Sequence, residues 1–195
     1  ACLLAAGQPH HSGGFPMALT ATLHTFALQI ADMDRNVFAD VELRVARQPS
    51  ETAEFMLVRL LAYALEYEDG IALTEGVAAV DQPAAWVRDL TGRITAWIEV
   101  GAPDPERLHR GSKQADRCAL YTHRDPAPLL AHYAGHKIHR AAELPIYAFD
   151  RGFIADAAPR LTRRSALAIS VTERTLYLDI DGHSMSTAVE VYALA

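Results

Sequence analysis

The hydrophobic pattern of the chain changes its period several times, and each change marks a predicted element. Residues 20–30 and 37–45 alternate between apolar and polar side chains, and a polar turn separates them. Alternation with a period of two is typical of β-strands, and two such strands joined by a short turn predict an antiparallel hairpin. We therefore expect the patterned part of the chain to begin with a β-hairpin.

The clearest helical pattern follows this hairpin, from Ser50 to the pair Asp69-Gly70. Ser50 is a suitable N-cap, and Glu51 and Glu54 place negative charge at the positive end of the helix dipole. The apolar residues recur at intervals of three and four positions, which puts them on one helix face. They are Phe55, Val58, Leu61, Ala62 and Leu65. We predict that this face packs on a sheet.

Two short apolar runs, at residues 94–100 and 117–122, predict adjacent parallel strands that are covered on both faces. The segment between them, at about 104–115, predicts a connecting helix and a right-handed crossover. Together with the remaining segments, this order predicts an α/β fold with a mixed central β-sheet flanked by helices. The remaining predicted elements are strands at 71–74 and 144–149, a turn or short helix around Trp86, a helix at 125–140, a helical turn near 152–161, and three C-terminal strands at 166–171, 175–180 and 185–192.

Composition limits the class of protein. A chain of 195 residues with 50% hydrophobic and 22% charged residues is long enough for one domain with a substantial core. No apolar run approaches the roughly 18–20 residues of a membrane span. Two cysteines imply no disulfide framework and favour a cytoplasmic location. Residues 1–16 lack the positive start of a secretory signal, so we predict a disordered leader followed by a single domain over residues 17–195.

The charge balance argues against a dedicated non-specific nucleic-acid binder, because the net charge is −6. A local basic patch is nevertheless present in and after the helix predicted at 104–115. Its members are Arg107, His109, Arg110, Lys113 and Arg117. Nucleic acid therefore stays a possible partner, whereas the oligomeric state and the choice between DNA and RNA are left open.

The first candidate for chemistry is Glu99, which lies at the end of an otherwise apolar strand. A buried carboxylate without a partner is costly, so Glu99 should meet a cation, a basic side chain or solvent. Two alternatives are open. Glu99 pairs with Arg110 or Lys113 as an ordinary strand-end acid, or it helps to hold a divalent metal ion.

The chain from Met17 onward resembles the YaeQ family. The resemblance is carried by the runs QIADMDR, PSET, VRLLA and WIEVGAPD, and by DQPAAW and YTH. Proteins of this family are similar in fold to a variation of the PD-(D/E)XK nuclease superfamily, whose core has the order αβββαβ. The resemblance thus implies a restriction-endonuclease-like core with an added N-terminal hairpin and added C-terminal strands.

The resemblance also implies site residues. Glu99 matches the (D/E) position of the motif, and Glu51 or Glu54 matches an acid on the first helix. The motif lysine would fall on Gly101, so Lys113 or Arg110 would have to supply the positive charge.

A second departure from the motif lies at the PD pair. Ala84 follows Pro83 where the motif has Asp, which leaves Asp81 as the nearest acid. Both departures weaken the expectation of catalysis.

Two functions therefore follow from the sequence. The first is a Mg²⁺-dependent phosphodiesterase or nuclease acting on nucleic acid. Asp81 and Glu99 would hold the metal, Lys113 would stabilise developing charge, and Glu51 or Glu54 would tune the site. The second is a non-catalytic binding or regulatory module that retains the nuclease fold.

Overall fold

The computed structural model of the protein describes residues 20–75 and 81–194. The leader predicted at residues 1–16 lies outside the described residues. The strands are β1 (Thr22–Asp32), β2 (Val37–Arg47), β3 (Ile71–Leu73), β4 (Ala85–Arg88), β5 (Ile94–Val100), β6 (Arg117–Thr122), β7 (Pro145–Phe149), β8 (Arg164–Thr172), β9 (Thr175–Ile180) and β10 (His183–Ala193). The α-helices are α1 (Ala53–Leu65), α2 (Pro105–Gln114), α3 (Pro126–Ala134) and α4 (Arg151–Ala157), and short 3₁₀ turns occupy Ala141–Glu143 and Ala158–Arg160.

All the described strands belong to one mixed sheet with the order β2-β1-β8-β9-β10-β7-β6-β5-β4-β3. The β1–β8, β5–β6 and β6–β7 pairs are parallel, and the other pairs are antiparallel. The predicted parallel pairing of β5 with β6 is confirmed, with Glu99 opposite Leu120 and α2 as the connection. The predicted N-terminal hairpin and C-terminal meander are also present.

Helix α1 lies at the centre of the main core. Residues 56–64 are all buried, so the helix is enclosed on nearly all sides rather than along one apolar face. The same core contains Phe26 of β1, Ile98 of β5 and Leu176 of β9, which means that distant parts of the sheet meet around α1. Of the predicted positions, the middle three are buried and the two outer ones are partly buried. Full enclosure explains why α1 is apolar beyond the predicted stripe.

A second core lies on the opposite face of β5, β6 and β7. Trp97 and Leu120 point away from α1 and pack with Leu108 of α2 and Leu129 of α3. This layer fixes α2 against the end of β5, where the predicted site residues lie. Within the described residues, no helix is long and apolar enough to cross a membrane.

Three local predictions are wrong. Trp86 lies in strand β4, not in a turn or helix, because pairing with Trp97 and Ala72 on its two sides supplies the order that the sequence pattern lacks. Helix α3 ends at Ala134 rather than near residue 140, with Gly135 as its C-cap. The N-cap of α1 is Thr52 rather than Ser50, since the Thr52 side chain accepts the hydrogen bond from the third helical N–H.

Candidate functional site

Glu99 lies near the C-terminal end of β5, on the face covered by α2. Its side chain is only 3% exposed, and its Oε1 accepts hydrogen bonds from Trp97 Nε1 and Arg107 Nε, each at 2.8 Å. The alternation of β5 puts Trp97 and Glu99 on the same face, and the first turn of α2 brings in Arg107. Arg107 also donates to the backbone carbonyl of Gln82. The expected basic partner of Glu99 exists, but it is Arg107 and not Arg110 or Lys113.

The pKa of Glu99 shows that Arg107 and Trp97 offset only part of the effect of burying the carboxylate. Burial raises the pKa of the carboxyl above its ordinary value, and Arg107 opposes the rise through its charge and its hydrogen bond. The Trp97 hydrogen bond and the charge of Arg110 act in the same direction as Arg107. The net shift remains upward, so the charged carboxylate is stabilised less here than in water.

A cavity of about 310 Å³ opens beside Glu99. Its walls include Phe55 of α1, Arg107 and a second carboxylate, that of Asp104. Asp104 occupies the N-cap position of α2, yet its side chain makes no capping hydrogen bond. The sequence marks Asp104 only as the start of a helix, so the pattern gave no signal for its place beside Glu99.

Asp81 lies outside this cavity. Its side chain is 88% exposed, and its Oδ1 lies 3.5 Å from Arg110 Nη1. Together with Trp97 and Arg107, the two residues line a neighbouring cavity of about 270 Å³. Arg107 lines both cavities, whereas Asp81 and Glu99 each line only one of them. The two predicted metal ligands therefore do not face one common cavity among the described residues.

Glu51 forms a buried ion pair inside the domain. Its Oε1 lies 2.8 Å from Arg59 Nη1, and both side chains are almost completely enclosed. Arg59 also donates to the carbonyl of Thr74 at 2.7 Å. Glu51 thus connects the start of α1 to the segment after β3, and its carboxylate is engaged within the fold.

Glu54 lies in the first turn of α1. Hydrogen bonds from its own backbone N–H and from Thr52 lower the pKa of Glu54, and the charges of His123 and Arg47 add to that effect. His123 directly follows β6 and is buried, and burial lowers the pKa of its imidazole. Glu54 and His123 therefore influence each other's pKa, and Glu54 does not line the Glu99 cavity.

The predicted basic patch is divided by the fold. Lys113 is exposed in the last turn of α2 and makes no ion pair with a described residue. Arg117 points to the other face of the sheet, where it pairs with Glu66 and Glu68. Because Arg107 and Arg110 are also paired with carboxylates, most of the patch charge is compensated internally.

The two departures from the nuclease motif have structural causes. Gly101 has a φ of +87°, and a Cβ atom there would lie 3.2 Å from the Phe55 ring. A lysine at this position would be strained both by its backbone and by this contact. Ala84 is buried, and its N–H donates to the carbonyl of Ile98 at 3.0 Å. Over the described part of the chain, no group of three or more His, Cys, Asp or Glu side chains is arranged to hold a metal ion.

Similarity to known proteins agrees with this architecture. The family model described as YaeQ protein matches residues 17–189. YaeQ of Escherichia coli (strain K12) is 33% identical over 170 residues, which cover 87% of this chain and 94% of that protein. YaeQ of Salmonella typhi is 34% identical over 165 residues, which cover 83% of this chain and 90% of that protein.

Solved structures show the same relationship. The crystal structure of YaeQ protein from Pseudomonas syringae superposes with a TM-score of 0.81 and 30% identity, covering 88% of this chain and 95% of that one. The YaeQ structure from Xanthomonas axonopodis pv. citri also gives a TM-score of 0.81, with 28% identity and coverage of 90% of this chain and 100% of that one. The chain therefore belongs to the YaeQ family.

Proposed function

We propose that this protein is a non-catalytic binding or regulatory module that retains a nuclease-like fold. The order α1-β3-β4-β5-α2-β6 corresponds to the αβββαβ order of the PD-(D/E)XK core, which supports the relationship in fold. Fold alone does not carry a function, so the proposal depends on the side chains at the end of β5. It keeps the cytoplasmic location predicted from the sequence.

The observation that carries the proposal is the environment of Glu99. Its Oε1 accepts two hydrogen bonds from protein donors, and one of those donors is a guanidinium held by a further hydrogen bond to Gln82. Mg²⁺ prefers carboxylate oxygens and retained waters in near-octahedral geometry. Asp81 lines a different cavity from Glu99, and the lysine position of the motif is a glycine with positive φ. The residues present therefore do not fit the magnesium site that the nuclease motif implies.

A magnesium-dependent phosphodiesterase acting on nucleic acid is the second candidate. One observation favours it: the carboxylates of Glu99 and Asp104 line the same cavity, with a guanidinium beside them. In this alternative Asp104, not Asp81, would be the second acid. The positive charge of Arg107 beside Glu99 would oppose the binding of a cation there.

A hydrolysis assay distinguishes the two functions. The wild type, Glu99→Gln and Asp104→Asn would be incubated with single-stranded and double-stranded DNA and RNA, in the presence of Mg²⁺ or Mn²⁺. Lys137→Gln provides a control for loss of charge far from the cavity. We expect no hydrolysis that depends on Glu99. Hydrolysis by the wild type and the control that disappears in both acid variants would contradict the proposal and support the phosphodiesterase.

A further inference from the structure

A second and larger cavity, of about 710 Å³, lies at the C-terminal end of α1. It is bordered by the turn between β1 and β2, the turn between β8 and β9, and the strands β6, β7 and β10. None of the residues around Glu99 line it. Its volume is within the range of cavities that hold small organic molecules.

The floor of this cavity is aromatic and apolar. The rings of Tyr121 and Tyr147 stack with centroids 4.6 Å apart and an angle of 18° between their planes. Tyr121 is buried beside Tyr147, its partner on the neighbouring strand, which is itself half-buried. Leu65, Val171 and Val189 complete the surface. A stacked pair of rings beside aliphatic side chains favours a flat apolar or aromatic group.

The acidic groups of the inner wall are already engaged with donors. Glu66 accepts a hydrogen bond from Arg117 Nη1 at 2.5 Å and another from the Tyr121 hydroxyl at 2.7 Å. Glu68 accepts one from Arg117 Nη2 at 2.6 Å. These acids therefore hold the wall together through Arg117 and Tyr121.

The acids of the turn between β1 and β2 are engaged in the same way. Asp32 accepts hydrogen bonds from Arg35 Nε at 2.6 Å and from the Arg35 backbone at 3.0 Å. Asp34 accepts the backbone N–H groups of Glu173 and Arg174 at 2.8 and 2.9 Å. As a result, each of the four carboxylates around the cavity already accepts at least one hydrogen bond from the protein.

Among the arginines that line the cavity, Arg174 is the one whose guanidinium is available to a ligand. It is exposed and makes no ion pair with a described residue, whereas Arg35 and Arg117 are paired. The charges of all three arginines act on Tyr147, opposing the increase in its pKa that burial causes. All three arginines line the same cavity as Tyr147.

The backbone that carries Arg174 is unusual. Glu173 and Arg174 form the two-residue turn between β8 and β9, and both have positive φ, of 51° and 58°. Turns of this type strongly favour Asn and Gly. A glutamate and an arginine occupy these positions at a cost in backbone energy, and Arg174 lines the cavity.

We propose that this cavity binds a small planar anion, with its ring on Tyr147 and its carboxylate or phosphate on Arg174. The inference names a ligand for the proposed binding function, but it uses no residue of the Glu99 cavity. An anion suits the guanidinium of Arg174, which makes no ion pair with a described residue, and a planar ring suits the tyrosine floor. Nucleoside monophosphates and aryl carboxylates share this chemistry.

Binding is tested by calorimetric titration of the full chain with four probes. Adenosine 5′-monophosphate and 2-naphthoate combine a ring with an anionic group, whereas adenosine and inorganic phosphate supply one feature each. We expect at least one of the first two probes to bind with a stoichiometry of one, about tenfold or more tightly than either single-feature probe. Binding of the nucleotide alone identifies phosphate as the anionic group, and binding of the naphthoate alone identifies carboxylate.

Variants locate the site. Arg174→Gly removes the guanidinium and relieves the positive φ, so it should weaken binding about tenfold without lowering the melting temperature. Tyr147→Leu should weaken it as well, whereas Arg44→Ala, which removes an exposed arginine of β2, should not. Absence of binding by both ring-containing anions, or equal binding by Arg174→Gly and the wild type, would overturn this proposal. Neither result bears on metal-dependent hydrolysis at Glu99, which the assay above decides.

Discussion

Arg107→Ala removes the cation that compensates the buried carboxylate of Glu99. The side chain of Glu99 is 3% exposed and that of Arg107 is 22% exposed. Removing one partner of a buried ion pair typically costs about 3–5 kcal/mol, because the other charge stays buried. Since Arg107 is partly exposed, water can replace some of its interaction. We therefore expect a loss of about 3 kcal/mol in the free energy of unfolding at about pH 8.

The loss should depend on pH. In the folded chain, burial raises the pKa of Glu99 above the value of the unfolded chain. Between these two pKa values the folded state binds more protons at Glu99 than the unfolded state does. The contribution of Glu99 to stability is therefore fully present below the unfolded pKa and is lost as pH rises through the folded pKa. Arg107 is the largest of the influences that lower this pKa, so Arg107→Ala should raise it further. The loss at about pH 5 should be clearly smaller than at about pH 8.

Urea unfolding followed by circular dichroism at both pH values measures the effect. The matched control is the double variant Glu99→Gln with Arg107→Ala, in which the buried group is neutral. Its stability should exceed that of Arg107→Ala at about pH 8 and should change little with pH. A loss below about 1 kcal/mol at pH 8, or an equal loss at both pH values, would refute the assignment of Arg107 as the partner of a buried charge.

Three further results are expected. Leu61→Ala should cost about 2–5 kcal/mol in urea unfolding, because Leu61 is completely buried in α1; a loss below about 1 kcal/mol would show that the site is not packed as described. Gly101→Lys should destabilise the fold by at least about 1 kcal/mol through its positive φ and its contact with Phe55, and an unchanged midpoint would contradict this. Any nucleic-acid binding should weaken steeply with salt, and neutralising both Arg110 and Lys113 should flatten the slope of log affinity against log salt by roughly two units in an anisotropy titration; an unchanged slope would exclude this surface.

The fold was predictable where the pattern of apolar and polar residues continued over a whole helix or strand. The apolar runs of β5 and β6 predicted a parallel pair, and alternation predicted β1, β2 and the C-terminal strands. Strand β4 was missed because its four residues carry no period, and its order comes from pairing on both sides. The position of helix α1 along the chain was predicted, but its burial on nearly all sides was not. That burial depends on how distant strands meet around the helix.

The candidate site was predictable only in part. Glu99 stood out because a carboxylate ends an apolar run, which is a signal contained in the sequence. Arg107 could not be chosen over Arg110 because the choice depends on the orientation of α2, which the packing of Trp97 and Leu108 sets. The cavity at the C-terminal end of α1 has no sequence signature, because seven separate helices and strands supply its walls.

The most direct test of the central claim is a calorimetric titration of the wild type with Mn²⁺, which substitutes for Mg²⁺ at oxygen-ligand sites. If the carboxylate of Glu99 serves only to accept hydrogen bonds from Arg107 and Trp97, titration with millimolar Mn²⁺ should give only heats of dilution. The Glu99→Gln variant should then give the same result. Saturable binding of one or two ions by the wild type that is lost in Glu99→Gln would contradict the account and show that Glu99 is a metal ligand.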